Sequence, residues 1–126
     1  MTADEFSRLW QEHWAAVGRD EAAVHAIYRD DAVLEFPQSG ERFDGRATFQ
    51  AWRERYPAQV EIELTRVTGE GSVWIAEGLI RYDGKPPLHN VNIVEFHGEK
   101  VARETIYFAE PFEAPEWRRP YASQPL

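Results

Sequence analysis

The sequence predicts an α+β fold, a curved antiparallel sheet wrapped over three N-terminal helices, and two patterns carry that reading. Up to residue 55, apolar side chains recur at three- and four-residue steps, the signature of helices with one buried stripe. From residue 60 to residue 108 they alternate with polar ones or run nearly continuously, in segments broken by turn residues, as antiparallel strands do. Helices kept apart from such a sheet define the α+β class. A sheet curving over helices also encloses one hollow between the two layers.

Each element has its own signal. Residues 3–17 place Phe6, Leu9, Trp10, His13 and Val17 on one helical stripe, and Gly18 stops the helix. Asp20 caps a second helix over 21–29, with Ala23, Val24, Ile27 and Tyr28 on one face. Residues 32–36 form a short strand that Pro37 stops; Ser39-Gly40 turns, and Glu41 to Phe43 is extended. Asp44 caps a third helix over 45–55, with Phe49, Trp52 and Tyr56 on its stripe, and Pro57 closes it. Val60, Ile62 and Leu64 alternate with Glu61, Glu63 and Thr65, and the chain turns over Thr68-Gly69-Glu70-Gly71. Residues 73–82 are nearly continuous in β-prone side chains, as in a central strand. After a loop at residues 83–87, strands 88–96 and 101–108 form a hairpin through His97-Gly98-Glu99-Lys100. The whole chain, 1–126, is one domain: a core over 1–109 and a proline-rich tail over 110–126, docked through Phe112, Trp117 and Tyr121.

Charge and composition exclude several function classes. A chain of 126 residues makes one domain that buries roughly two thirds of its unfolded surface. With 22 acidic against 14 basic side chains the net charge is −8, and the densest basic groups, Arg53/Arg55 and Arg118/Arg119, sit beside acids. No nucleic-acid partner is expected, since phosphate binding needs clustered cations. No segment approaches the ~20 apolar residues of a spanning helix, and Met1 to Leu9 holds no apolar leader, so a cytoplasmic protein with no membrane partner is expected. The absence of Cys removes disulfides, thiolate nucleophiles and Cys-bound zinc. The four His show no metal-binding spacing, Gly69-Glu70-Gly71 precedes no helix, and no Ser sits in a strand-to-helix elbow. No metal and no cofactor are expected. Five Trp, five Tyr and seven Phe exceed a minimal core. They make either a bulky interior or the lining of a cavity for a small apolar ligand.

Three segments carry a family resemblance: Ile27 through Pro37, Phe43-Asp44-Gly45-Arg46, and Gly98 through Phe108. The chain resembles the nuclear-transport-factor-2-like superfamily in its SnoaL-like, polyketide-cyclase-like branch, over nearly its whole length. The resemblance implies a cone-shaped half-barrel with a deep pocket. Its members include cofactor-free isomerases, aldol-type cyclases, epoxide hydrolases, dehydratases and non-catalytic binders, so the fold alone does not decide the activity. The isomerase-like members place their Asp base just before the Pro of the first strand, where this sequence has Phe36. The epoxide-hydrolase-like and cyclase-like members place an Asp just before the Tyr-Phe pair of the last strand, where this sequence has Ile106.

Three polar residues are the catalytic candidates. On the last strand Ala102, Glu104, Ile106 and Phe108 share one face, so Glu104 is an acid among hydrophobes. The resemblance turns that face into the pocket, where burial would raise the carboxyl towards neutral pH and fit it for acid/base work. His13 lies on the apolar stripe of the first helix and could face Glu104. Asn92 aligns with an oxyanion-stabilising position of the isomerases and could donate to a carbonyl. A two-residue Gly98-Glu99 turn sets Ile93 opposite Glu104 and His89 opposite Phe108, on the pocket side; a three-residue loop sets Asn92 opposite Glu104. Both registers stay open.

The ligand-binding candidates are Phe36, Trp52, Tyr56, Trp74, Tyr82, His89, Ile106 and Phe108, from elements that converge on the hollow. Ala76 and Gly78 lie between Trp74 and Tyr82 on one strand face, and their small size would leave room for a ligand. The other face of the last strand, Val101, Arg103, Thr105 and Tyr107, is mixed in character. Members of the family often pair through it, so a homodimer is expected. The leading expectation is a binder of a small apolar ligand. The alternatives are a cofactor-free isomerase, cyclase or dehydratase using Glu104, and a dimeric interaction domain without ligand.

Overall fold

The computed structural model describes residues 1–55 and 58–123. Helix α1 (Ala3–Ala15) starts at Thr2, whose side chain accepts from the Glu5 amide, and it buries Phe6, Trp10, His13 and Trp14. Helix α2 (Glu21–His25) is capped by Asp20, which accepts from Ala23 N. Strand β1 (Tyr28–Phe36) and short β2 (Glu41–Asp44) follow, then helix α3 (Arg46–Glu54). Four long strands complete the core: β3 (Val60–Glu70), β4 (Val73–Tyr82), β5 (Leu88–His97) and β6 (Lys100–Ala109).

The strands form one open six-stranded sheet in the order β2-β1-β6-β5-β4-β3. Every neighbouring pair is antiparallel except β1 and β6, which run parallel. That junction explains why the second helix is shorter than its pattern suggests. Tyr28 pairs with Val101, and the Val101 amide donates to the Ile27 carbonyl at 2.8 Å. Tyr28 and Arg29 are thereby drawn from the helical stripe into the sheet.

Three further local expectations are corrected. Gly45, not Asp44, occupies the cap position of α3, with a left-handed φ of 92° that suits glycine, while Asp44 pairs with Arg42 at 2.8 Å. The segment Thr68–Glu70 continues β3, and the chain reverses at Gly71-Ser72 instead. Among the described residues the tail is not docked through the expected rings: Phe112, Trp117 and Tyr121 are 81%, 75% and 85% exposed.

The β5–β6 hairpin turns through Gly98-Glu99, but its register shifts between Glu95 and Phe96. Phe96 faces Val101 as a two-residue turn requires, whereas Val94, not Ile93 or Asn92, stands opposite Glu104. The bulge also carries Val101 into the core with Glu104, removing it from the outer face. The core lies between α1, α3 and the inner sheet face, where Phe6 stacks between Trp10 and Trp74 at 5.5 and 5.6 Å.

Candidate functional site

Glu104 sits on β6 between Leu34 of β1 and Val94 of β5, and this central position buries it completely. A carboxyl there needs hydrogen bonds, and it has them at both oxygens. The Tyr28 hydroxyl donates to Oε1 in a short hydrogen bond, and Asn92 Nδ2 donates to Oε2 at 2.8 Å. Asn92 reaches it diagonally, two residues along β5 from the residue opposite. Burial pushes the Glu104 carboxyl up from its usual range, while the Arg53 charge and the two hydrogen bonds pull it back.

Around Tyr28 the other buried polar groups gather. The Arg53 guanidinium lies over its ring at 5.8 Å from the centroid, and over the Phe49 and Trp52 rings at 5.4 and 5.6 Å. Arg53 Nη1 is 3.3 Å from His25 Nε2, and His25 Nδ1 is 2.8 Å from the Glu21 carbonyl. Arg53 has only donors, so Nε2 accepts and Nδ1–H donates, which makes His25 the neutral tautomer. Burial and the Arg53 charge hold its pKa below the ordinary value, against the pull of its bond to Glu21. His13 packs edge-on against Tyr28 at 5.8 Å between centroids. Desolvation, then the Arg53 charge, hold its pKa down at about 3, so it too is neutral. His13 and Glu104 share no hydrogen bond; both contact Tyr28.

Beside this cluster lies a cavity of about 100 Å³. Of the expected ligand-binding residues it is lined by Phe36, Trp52, Tyr82, Ile106 and Phe108, together with His13 and Arg53. Phe36, Trp52 and Phe108 also wall an outer hollow of about 540 Å³ that opens towards Gln38, Glu41 and Phe43. Phe36 stacks on Phe108 at 6.1 Å and tilts against Trp52 at 5.9 Å, so these rings divide the inner space from the outer one. Glu104 and Asn92 are sealed in the sheet and are not among the lining residues.

Some candidates fall elsewhere. Trp74 is a core residue: it packs on Phe6, and its Nε1 donates to the Gly71 carbonyl at 3.1 Å. The space expected beside Ala76 and Gly78 is closed, because a Cβ on Gly78 would meet the Glu63 carbonyl of β3 at 2.1 Å. His89 is exposed, since the register puts it on the face opposite Asn90 and Asn92. Tyr56 lies outside the described residues. Three residues of the cluster escaped the sequence reading as site residues: Tyr28, His25 and Arg53. Arg53 had a signal, for it follows the buried Phe49 by four and so shares its face.

With this geometry in place, likeness to known proteins becomes informative. The family profile of the SnoaL-like domain matches residues 4–104. The chain belongs to the SnoaL-like domain family. Among solved structures it is similar to an NTF-2-like protein of unknown function from Burkholderia xenovorans, at 43% identity and a TM-score of 0.84, over 96% of this chain and 95% of that one. It is similar to a Kribbella flavida protein proposed to be a ketosteroid isomerase, at 24% identity and a TM-score of 0.79, covering 95% of this chain and 87% of that one. It also shares its fold with an LEH-like epoxide hydrolase from M. tuberculosis, at 19% identity and a TM-score of 0.69, over 80% of each chain. No protein of curated function matches the sequence. Among the described residues, no helix of this SnoaL-like domain is long and apolar enough to cross a membrane.

Proposed function

We propose that the protein binds a small, largely apolar molecule in the aromatic cavity and its outer hollow. The observation that carries this is the pair Phe36 and Ile106, apolar side chains that line the cavity where the resemblance to enzymatic relatives implies carboxylates. Of the acids nearby, Glu104 has both oxygens occupied and is shut off from the cavity, and Glu21 on the cavity wall accepts from the Gly18 amide. A wall of rings with few polar groups holds a ligand by burial and shape. A second reading is cofactor-free isomerisation, cyclisation or dehydration with Glu104 as acid/base. It is supported by the raised carboxyl and by its hydrogen bond to Tyr28, whose ring contacts the cavity residues His13 and Arg53. We also propose that two copies pair through the helix-free outer face of the sheet, where Ile75, Val91 and Ile93 stay partly exposed and Tyr107 is 39% exposed.

Native mass spectrometry of the purified protein tests the binding reading. A small molecule is expected to co-purify, to remain bound in Glu104→Gln, and to be lost in Ile106→Trp, which fills the cavity. Loss in Glu104→Gln with the fold intact shifts the assignment to Glu104 chemistry. Retention in Ile106→Trp overturns the cavity as the site.

A further inference from the structure

We infer that the ligand carries a carboxylate, held by Arg53 at the inner end of the cavity; this rests on the binding reading above. Arg53 is a half-buried cation on the wall of an otherwise largely apolar cavity. Among the described residues, no carboxylate lies within ion-pairing distance of it. Its neighbours are the hydroxyl and ring of Tyr28, the rings of Phe49 and Trp52 and the neutral His25, none of which supplies a negative charge at hydrogen-bonding distance. Glu104 acts on it only at longer range, its oxygens being taken by Tyr28 and Asn92.

Two unpartnered donors of the wall point to the same chemistry. Glu21, the other charged residue at the cavity, already accepts from the Gly18 amide at 2.9 Å. The indole N–H groups of Trp14 and Trp52 are buried without partners, and both residues line the cavity. An indole N–H only donates, and a guanidinium only donates. These donors of the wall lack acceptors. A carboxylate supplies two oxygens in the plane that a guanidinium matches with paired hydrogen bonds. It also neutralises a cation that is partly withdrawn from water. An amine would meet Arg53 with like charge, and a neutral amide would supply one acceptor and no charge. The apolar body of the acid would extend past Phe36, Trp52 and Phe108 into the outer hollow, which has the larger volume.

Isothermal titration calorimetry with phenylacetate, phenylacetamide and phenethylamine at neutral pH tests this. Wild type is expected to bind the acid about tenfold or more tightly than the amide, with the amine weakest. Arg53→Met should bring acid and amide to within about twofold of each other, and Arg53→Lys should restore part of the preference. Equal affinity of wild type for acid and amide, or preference for the amine, overturns the Arg53 assignment and leaves the apolar cavity standing. Absence of binding by all three, and by naphthalene as a neutral apolar probe, overturns both. If Arg53→Met does not fold, the wild-type comparison and Arg53→Lys decide.

Discussion

The polar residues inside this domain hold their protonation states through burial, and that sets how stability responds to pH. His13 is neutral in the fold with its pKa near 3, whereas an unfolded histidine titrates at 6.5. Below 6.5 the unfolded chain binds the extra proton, so stability falls as pH drops from 6.5 towards 3. At about 1.4 kcal/mol per unit the loss reaches several kcal/mol. His25 adds in the same direction. Glu104 has the opposite sign: its raised value means that its contribution is present below the unfolded value of 4.5 and is lost as pH rises through the folded one. We expect His13→Leu to flatten the acid limb, seen as a urea midpoint that changes less between pH 7 and pH 4 than that of wild type. An equal fall in both proteins would show that His13 is not the group responsible. The unpartnered Asn92 Oδ1 also explains why Glu104→Gln should fold: turned over, the Asn92 amide accepts from the new side-chain NH2. Glu104 was legible as an acid among hydrophobes. Its partner Tyr28 was not, because its sequence neighbourhood read as helix and only the pairing with β6 turned it inward.

Among the elements, the strands of the sheet follow their alternation closely, and the departures trace to contacts with distant segments. The β5–β6 bulge decides which side chains meet Glu104, and neither simple hairpin register gives that answer. The close approach of β3 to β4 at Gly78 is another such contact. Gly78→Ala would push its Cβ into the Glu63 carbonyl, and we expect a loss of about 1–3 kcal/mol in thermal or chemical unfolding. A variant as stable as wild type would mean that β3 can move away without penalty. The pattern of small residues on β4 read equally as room for a ligand or as close packing, and backbone proximity settles it for packing. Helix α1 kept its stripe because Phe6, Trp10 and His13 need no partner specified in advance beyond an apolar layer.

For the molecule as a whole, exposed apolar side chains lie on the outer sheet face and the tail. Ile75 pairs with Ile93, and Val91 with Tyr107, so apolar side chains form rows across β4, β5 and β6 with no helix over them. Light scattering at micromolar concentration is expected to give about twice the 14.6 kDa chain mass, and Tyr107→Glu to shift it towards one chain. A single-chain mass for wild type would overturn the pairing. The sequence by itself determined the α+β class and the order of helices and strands. Those follow from hydrophobic periodicity and turn residues, which act over a few positions. Only the tertiary structure decided that β1 joins β6 in parallel, that Trp74 is core while Phe36, Trp52 and Phe108 face a cavity, and that Arg53 reaches it with no carboxylate at ion-pairing distance among the described residues. Each of these depends on which segments meet across the sheet, and that depends on long-range register and backbone proximity.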